Sequence, residues 1–158
     1  MATSGGIDPL MQQLLDREAI RDLPVIYCHY VWQNDVEAMV NLFTEDGCLQ
    51  TSGDPRLQRV EERGRANLRK KYHELLNALQ PRPFIHNHVI QQTGPNSAKG
   101  TCYQEVRANV DGKSWIGAGH YDDEYAKVGD TWKFRSRHYK AYYFVPLSEG
   151  WAEQANKG

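Results

Sequence analysis

The chain has 158 residues, 40% of them hydrophobic and 25% charged, with 19 basic side chains set against 20 acidic ones. A chain of this length fits one domain of ordinary size and buries about two thirds of the surface its unfolded form exposes, so its core needs no staples. The balanced charge gives no long-range field to gather nucleic acid or an anionic membrane. No stretch has the length of a membrane span, and the opening Met1-Ala2-Thr3-Ser4-Gly5-Gly6 lacks the basic start and apolar run of a secretory leader.

The remaining composition signals are equally plain. The most basic stretch, residues 63–71, is flanked by Glu61, Glu62 and Glu74 and reads as a solvated helix face, not a nucleic-acid patch. Cys28, Cys48 and Cys102 are odd in number and lack metal-ligand spacing, which reads as a reduced, cytoplasmic protein.

A first helix is expected from Asp8-Pro9, where Asp8 caps and Pro9 occupies the first turn. Leu10, Leu14, Leu15, Ala19, Ile20, Leu23, Tyr27, Tyr30 and Val31 continue it at helical spacing, and Pro24 should kink or divide it. Asn34 and Glu37 have the spacing of a capping box for a second helix that carries Val36, Met39, Val40, Leu42 and Phe43. A short strand at residues 48–51 and a loop at 53–62 follow. Leu68, Tyr72, Leu75, Leu76 and Leu79 form the apolar stripe of a third helix over residues 65–80, ended by Pro81 and Pro83.

Four strands are expected next, at residues 84–93, 98–110, 113–126 and 131–144. Gly94-Pro95-Asn96, Asp111-Gly112 and Val128-Gly129-Asp130 turn between them, and Pro146 ends the last. Helices first and strands after predict an α+β fold. The whole of residues 1–158 forms one domain on this reading, with an ordered core at about 8–152 and loose tails.

Strand alternation then places side chains. With Asp111-Gly112 as a two-residue turn, Cys102 faces Tyr121, Gln104 faces Gly119, Val106 faces Gly117 and Ala108 faces Trp115. One sheet face thus carries Cys102, Gln104, Val106, Gly117, Gly119 and Tyr121. Its two glycines fit either a concave face with room for a ligand or a plain bulge. His86 and His88 share a face on the neighbouring strand. His120 and Glu105, which could extend them to a metal site, fall on the other face, so no metal is expected. A strand histidine is more often hydrogen-bonded structure than chemistry, and Tyr27 and Tyr30 more often core aromatics than acids. No phosphate loop, serine-hydrolase elbow or paired-cysteine motif occurs.

Several strings in order carry a resemblance. They are Asp16-Arg17-Glu18-Ala19-Ile20-Arg21-Asp22-Leu23, then Tyr27, then Asn41-Leu42-Phe43-Thr44-Glu45-Asp46-Gly47, then Ile85-His86-Asn87. Tyr121-Asp122-Asp123-Glu124-Tyr125, Gly129-Asp130-Thr131-Trp132-Lys133-Phe134 and Tyr143-Phe144-Val145-Pro146-Leu147 complete the set. From about Leu15 to Trp151 the chain resembles the SnoaL-like branch of the nuclear-transport-factor-2-like superfamily, and looks closest to the group of hexachlorocyclohexane dehydrochlorinase, scytalone dehydratase and bile acid 7α-dehydratase.

The resemblance implies a cone-shaped fold, three N-terminal helices on a strongly bent, mixed but mostly antiparallel sheet, with a pocket between them. It implies cofactor-free proton chemistry of elimination, isomerisation or cyclisation on a hydrophobic cyclic or polyketide-like molecule. His86 matches the family's strand base, Tyr27 a helix tyrosine of the bile acid enzyme, and Arg137 an arginine on the last strand of the dehydrochlorinase. A three-residue turn at 128–130 would set Arg137 beside Tyr121. The family's aspartate partner of the histidine is replaced here by Trp32, which cannot orient an imidazole as an anion. Asp35, three residues on, is the nearest acid.

Three readings follow. In the first, a lyase or isomerase uses His86 as base, with Tyr27, Tyr30 or Arg137 on the developing oxyanion, in a pocket that also holds Trp32, Asp35, His88, Gln104, Gly119 and Tyr121. In the second, the same scaffold binds a ligand without turnover. In the third, it is an accessory subunit like the β subunits of ring-hydroxylating dioxygenases. Fold alone does not choose among them. Trp132, Phe134, Ser136 and His138 alternate with the pocket-facing set, so the outer sheet face should carry aromatics that a homodimer or homotrimer would cover.

Overall fold

The computed structural model describes residues 6–152. Apart from Gly6, the tails expected to be loose lie outside that range. Asp8 begins helix α1 (Pro9–Gln33), its carboxylate accepting from the backbone N–H of Leu10 at 2.8 Å and Met11 at 3.3 Å. Pro24 does not divide the helix, which runs 25 residues through it with the ring buried. Two side chains one turn apart then tie α1 to the sheet. Cys28 Sγ and Trp32 Nε1 both donate to the Pro83 carbonyl, at 3.0 and 2.8 Å.

Asn34 closes α1 in the left-handed region, with φ of 55°. Asp35 therefore caps α2 (Val36–Asn41) instead, accepting from the Ala38 N–H at 3.0 Å. The expected capping box sat one residue early because asparagine suits a left-handed helix end as well as a start. Leu42 and Phe43 do not extend α2: Phe43 opens the first strand, β1 (Phe43–Gly53). Part of the expected loop pairs with β1 as a short strand, β2 (Val60–Arg63).

Helix α3 (Arg65–Leu79) buries Leu68, Tyr72 and Leu76 and lies against β1, β2 and β4. The remaining strands are β3 (Arg82–Gly94), β4 (Ser97–Val110), β5 (Lys113–Val128) and β6 (Thr131–Pro146). They form one open sheet in the order β2-β1-β6-β5-β4-β3. Only the β1–β6 pairing is parallel, so the sheet is mixed and mostly antiparallel, as expected for the α+β cone. Ile20, Val31, Met39, Leu68 and Phe134 fill the space between helices and sheet.

The β4–β5 register is the one its turn dictates. Asp111 and Gly112 both have positive φ, 50° and 76°, as a two-residue hairpin of this twist requires. Cys102 faces Tyr121, Gln104 faces Gly119, Val106 faces Gly117 and Ala108 faces Trp115.

The β5–β6 register departs from simple alternation. Val128 pairs with Thr131 across a two-residue turn, not the three-residue turn expected, and Tyr125 pairs with Phe134 while Glu124 pairs with Ser136. Arg135 is thus an extra residue, a bulge that inverts the phase of β6. Trp132 and Phe134 consequently lie in the core, not on the outer face, whereas His138 stays outside with its Nε2 2.7 Å from Ser52 Oγ. Arg137 faces Asp123 across the strands, and Tyr121 faces Tyr139.

The tie between α1 and Pro83 makes a specific expectation. Trp32→Phe keeps a ring but removes the N–H, leaving the carbonyl to Cys28 alone. Urea unfolding should show a loss of about 1 kcal/mol, the usual net worth of one hydrogen bond.

Candidate functional site

A cavity of about 100 Å³ lies between α1, α3 and the inner sheet face. Tyr27 of α1 and Tyr72 of α3 form part of its wall, with the Tyr27 hydroxyl donating to the Tyr72 oxygen at 3.1 Å. Gln104, Val106 and Ala108 of β4, Tyr121 of β5, and Tyr139 and Phe144 of β6 supply the sheet side, with Leu57, Leu76, Leu79, Pro81 and Pro83 around them. The lining is apolar apart from tyrosine hydroxyls, Thr51 and two amides, those of Gln58 and Gln104.

The two β5 glycines do make room on this face, and protein rings take it up. A Cβ at Gly119 would fall 2.8 Å from Tyr139 Cε2 and 2.3 Å from the Lys140 carbonyl oxygen, and one at Gly117 would fall 2.9 Å from Phe144 Cδ2. The β6 aromatics therefore lie across β5 and become the cavity wall. Burial pushes the Tyr139 hydroxyl up to about 12, and raises Tyr27, Tyr72 and Tyr121 above their ordinary range, so all four stay protonated at neutral pH.

Behind Tyr27 and Tyr121 lies Arg137, whose side chain is 0% exposed. Its guanidinium carbon sits 3.7 Å from the ring centre of Tyr121, 4.2 Å from Phe134 and 4.4 Å from Tyr27. Asp123 takes it in a two-pronged pair, Nε to Oδ1 at 2.9 Å and Nη2 to Oδ2 at 3.1 Å. The Tyr125 hydroxyl donates to Asp123 Oδ2 at 3.1 Å and lies 2.9 Å from His88 Nε2. A polar chain thus runs Arg137–Asp123–Tyr125–His88 through the core. Burial, then the charges of Arg137 and Arg21, push the His88 imidazole down to about 4. His88 ends the chain at a second recess, between α1 and β3, lined also by Arg21, Cys28, Trp32 and Ile85.

The sequence-predicted residues divide between these places. Tyr27, Gln104 and Tyr121 line the cavity, while Gly119 does not and lies instead under the Tyr139 ring. Arg137 does not pair with Tyr121 as a three-residue turn would have set it: it pairs with Asp123 across the strands, and its guanidinium lies against the Tyr121 ring, walled off from the cavity. His86 is not in the cavity. Its side chain is 48% exposed, with Nε2 3.0 Å from Glu105 Oε2 on the outer face, at the rim of the recess.

His86 and His88 do not share a face. Ile85 pairs with Gln104 and His88 with Cys102, so His86 and Asn87 together oppose Tyr103. This bulge breaks the alternation that would have put both imidazoles on one side. Among the described residues no three histidine, cysteine or acidic side chains converge on a metal-sized site.

Tyr30 packs at the core edge against His29 and does not line the cavity. Trp32 is 41% exposed and edge-on to Phe84. The Asp35 carboxylate is taken up by its cap, so neither it nor a tyrosine hydroxyl is the partner of His86. The residues that sequence reasoning missed are Asp123, Tyr125, Tyr72 and Tyr139. The signal for the first two was present, since Asp123 alternates with Tyr121 and Tyr125 on the buried face of one strand.

A family model for the SnoaL-like domain matches residues 12–138, and the chain belongs to that family. No curated protein matches it. Among solved structures it is similar to a LinA-type hexachlorocyclohexane dehydrochlorinase from Novosphingobium barchaimii, with 18% identity, a TM-score of 0.76, and 87% of this chain covering 93% of that one. A proposed scytalone dehydratase from Novosphingobium aromaticivorans matches with 20% identity and a TM-score of 0.73 over 85% of this chain and 89% of that one. A protein of unknown function from Mycobacterium tuberculosis matches with 23% identity and a TM-score of 0.72 over 87% and 78%. At these identities the likeness establishes the cone-shaped nuclear-transport-factor-2-like fold. No helix among the described residues is long and apolar enough to cross a membrane, and Cys28, Cys48 and Cys102 are unpaired.

Two outcomes are expected from the buried chain. Asp123→Asn leaves Arg137 buried without a counter-charge, and should cost about 3–5 kcal/mol in urea unfolding. His88 is held neutral by the fold, with a folded value near 4 against 6.5 unfolded. Below 6.5 the unfolded chain binds the extra proton, so the His88 contribution is complete above that pH and is lost as pH falls toward 4. Stability compared at pH 7 and pH 5 should fall less in His88→Asn than in the unmutated protein.

Proposed function

We propose that the chain binds a hydrophobic, cyclic or polyketide-like small molecule in the cavity between α1, α3 and the sheet, and holds it without proton abstraction by His86. One observation carries this. The cavity lining consists of apolar side chains with uncharged hydroxyls and amides, while His86 stands outside with Glu105. The family's aspartate position, Trp32, donates a hydrogen bond to Pro83 and orients no imidazole. Aimed donors in a dry pocket fix a ligand's orientation, which is what such a lining does best.

A second reading keeps catalysis and moves the base. His88 is neutral at pH 7, the state a general base needs, and its Tyr125–Asp123 chain ends at the recess between α1 and β3. In this reading the chain is a lyase or isomerase of the family type, with His88 in the role the resemblance gave to His86.

The two separate cleanly. Ligand extracted from the purified protein should be a neutral cyclic compound by mass spectrometry, and Val106→Phe, which fills the cavity, should abolish its rebinding. Incubation of that ligand with protein in deuterated buffer, followed by proton NMR, should show no exchange of carbon-bound protons beyond the uncatalysed rate. Exchange that survives His86→Ala within about tenfold but is lost in His88→Gln would establish the second reading in place of the first, since a general base is typically worth ~10²-fold or more.

A further inference from the structure

The cavity wall contains two buried polar atoms without a well-formed hydrogen bond, Gln104 Oε1 and the Tyr139 hydroxyl; the Gln104 amide lies against that hydroxyl, but the contact falls short of hydrogen-bond geometry and leaves the amide oxygen and the hydroxyl proton unused. Their residues are only 5% and 6% exposed, and both line the cavity. Buried polar groups in folded proteins are almost always paired, so two adjacent orphans on one wall call for a partner. Their adjacency is built in. Gln104 faces Gly119 across β4 and β5, and the absence of a Gly119 side chain lets the edge of the Tyr139 ring come over from β6.

We infer that Gln104 and Tyr139 form a reading site for a hydroxyl group on a neutral ring ligand. The inference rests on the cavity being the ligand site. The chemistry follows from what each atom can do. An amide oxygen only accepts, so the ligand must bring a proton to Gln104 Oε1. The Tyr139 hydroxyl is protonated and can donate, so the ligand must also offer a lone pair. One hydroxyl supplies both.

A ketone oxygen would satisfy Tyr139 and leave the amide oxygen bare. A carboxylate would bring two acceptor oxygens to an amide oxygen that needs a donor, in an apolar cavity, and Arg137 is paired with Asp123 behind the rings of Tyr27 and Tyr121. The other walls, Val106, Ala108, Leu57 and Phe144, present carbon to the rest of the ring.

The site should discriminate in the way that hydrogen-bonding pockets do. A ligand lacking the hydroxyl leaves the two polar groups unpaired, which costs more than a missing contact. Phenol and toluene are matched in shape and differ by hydroxyl against methyl. Their dissociation constants, measured by ligand-detected NMR or calorimetry on the unmutated protein, on Gln104→Met and on Tyr139→Phe, give a ratio of toluene to phenol for each.

That ratio should fall roughly 10- to 100-fold in each variant, from weaker toluene relative to phenol toward indifference, the scale of one unsatisfied buried group. Toluene should bind each variant at least as tightly as it binds the unmutated protein, since the group it left unpaired is gone, and this retained binding reports that the variants keep the folded cavity. A ratio unchanged within about threefold, or toluene bound and phenol excluded, overturns the hydroxyl-reading site while the apolar cavity stands as the ligand site. Neither probe binding the unmutated protein overturns both the reading site and the cavity proposal beneath it.

Discussion

A single charged side chain organises the interior. Arg137 is fully buried, so its charge must be neutralised within the protein, although only Nε and Nη2 of its donors find a hydrogen-bond partner and Nη1 finds none. Asp123 neutralises it through two hydrogen bonds, and three aromatic rings from α1, β5 and β6 close over the planar guanidinium. Each contact recruits a different element. Tyr27 brings α1 down onto the sheet, Tyr121 and Asp123 fix the inner face of β5, and Phe134 needs the β6 bulge to reach the same side. Breaking the pair would leave a desolvated charge at the crossing of helix and sheet, where nothing else can compensate it.

The same arrangement partitions the molecule chemically. The rings around Arg137 separate a carbon-lined cavity from a polar chain that ends in His88. Charge stays on one side of that wall and hydroxyls and amides on the other, so the cavity is hospitable to a neutral molecule and hostile to an ionised one. The family fold supplies the container, while the functional character comes from which side chains turn into it.

The sequence made much of this container legible. Long periodic segments such as α3, and the Asp111-Gly112 hairpin with its register, follow from patterns within one element or across one tight turn. The failures share a physical cause. Strand alternation has a period of 2, so one extra residue reverses every later assignment. The bulge at His86-Asn87 separated two histidines that simple counting put together, and the bulge at Arg135 carried Trp132 and Phe134 from the outer face into the core. Neither position holds a glycine, so nothing in the local residue types marks the irregularity. Asp123 was visible only as part of a family string. Its role emerges from alternation with two buried tyrosines, which says that an acid lies in the core and must have a cation beside it. Asn34 shows a subtler ambiguity, because one residue type serves both a helix end and a helix start.

The tie between α1 and Pro83 bears on how the molecule meets its own copies. β3 is an outermost strand, and an outermost strand offers unpaired backbone groups to any passing chain. Pro83 has no N–H to offer, its carbonyl is occupied by Cys28 and Trp32, and the His86-Asn87 bulge interrupts the row a few residues later. The opposite edge is β2, only four residues long. Both margins of the sheet are thus poor templates for strand addition, which guards a protein with so extensive a β-structure against open-ended polymerisation and leaves self-association, where it occurs, to side-chain surfaces that can close on themselves.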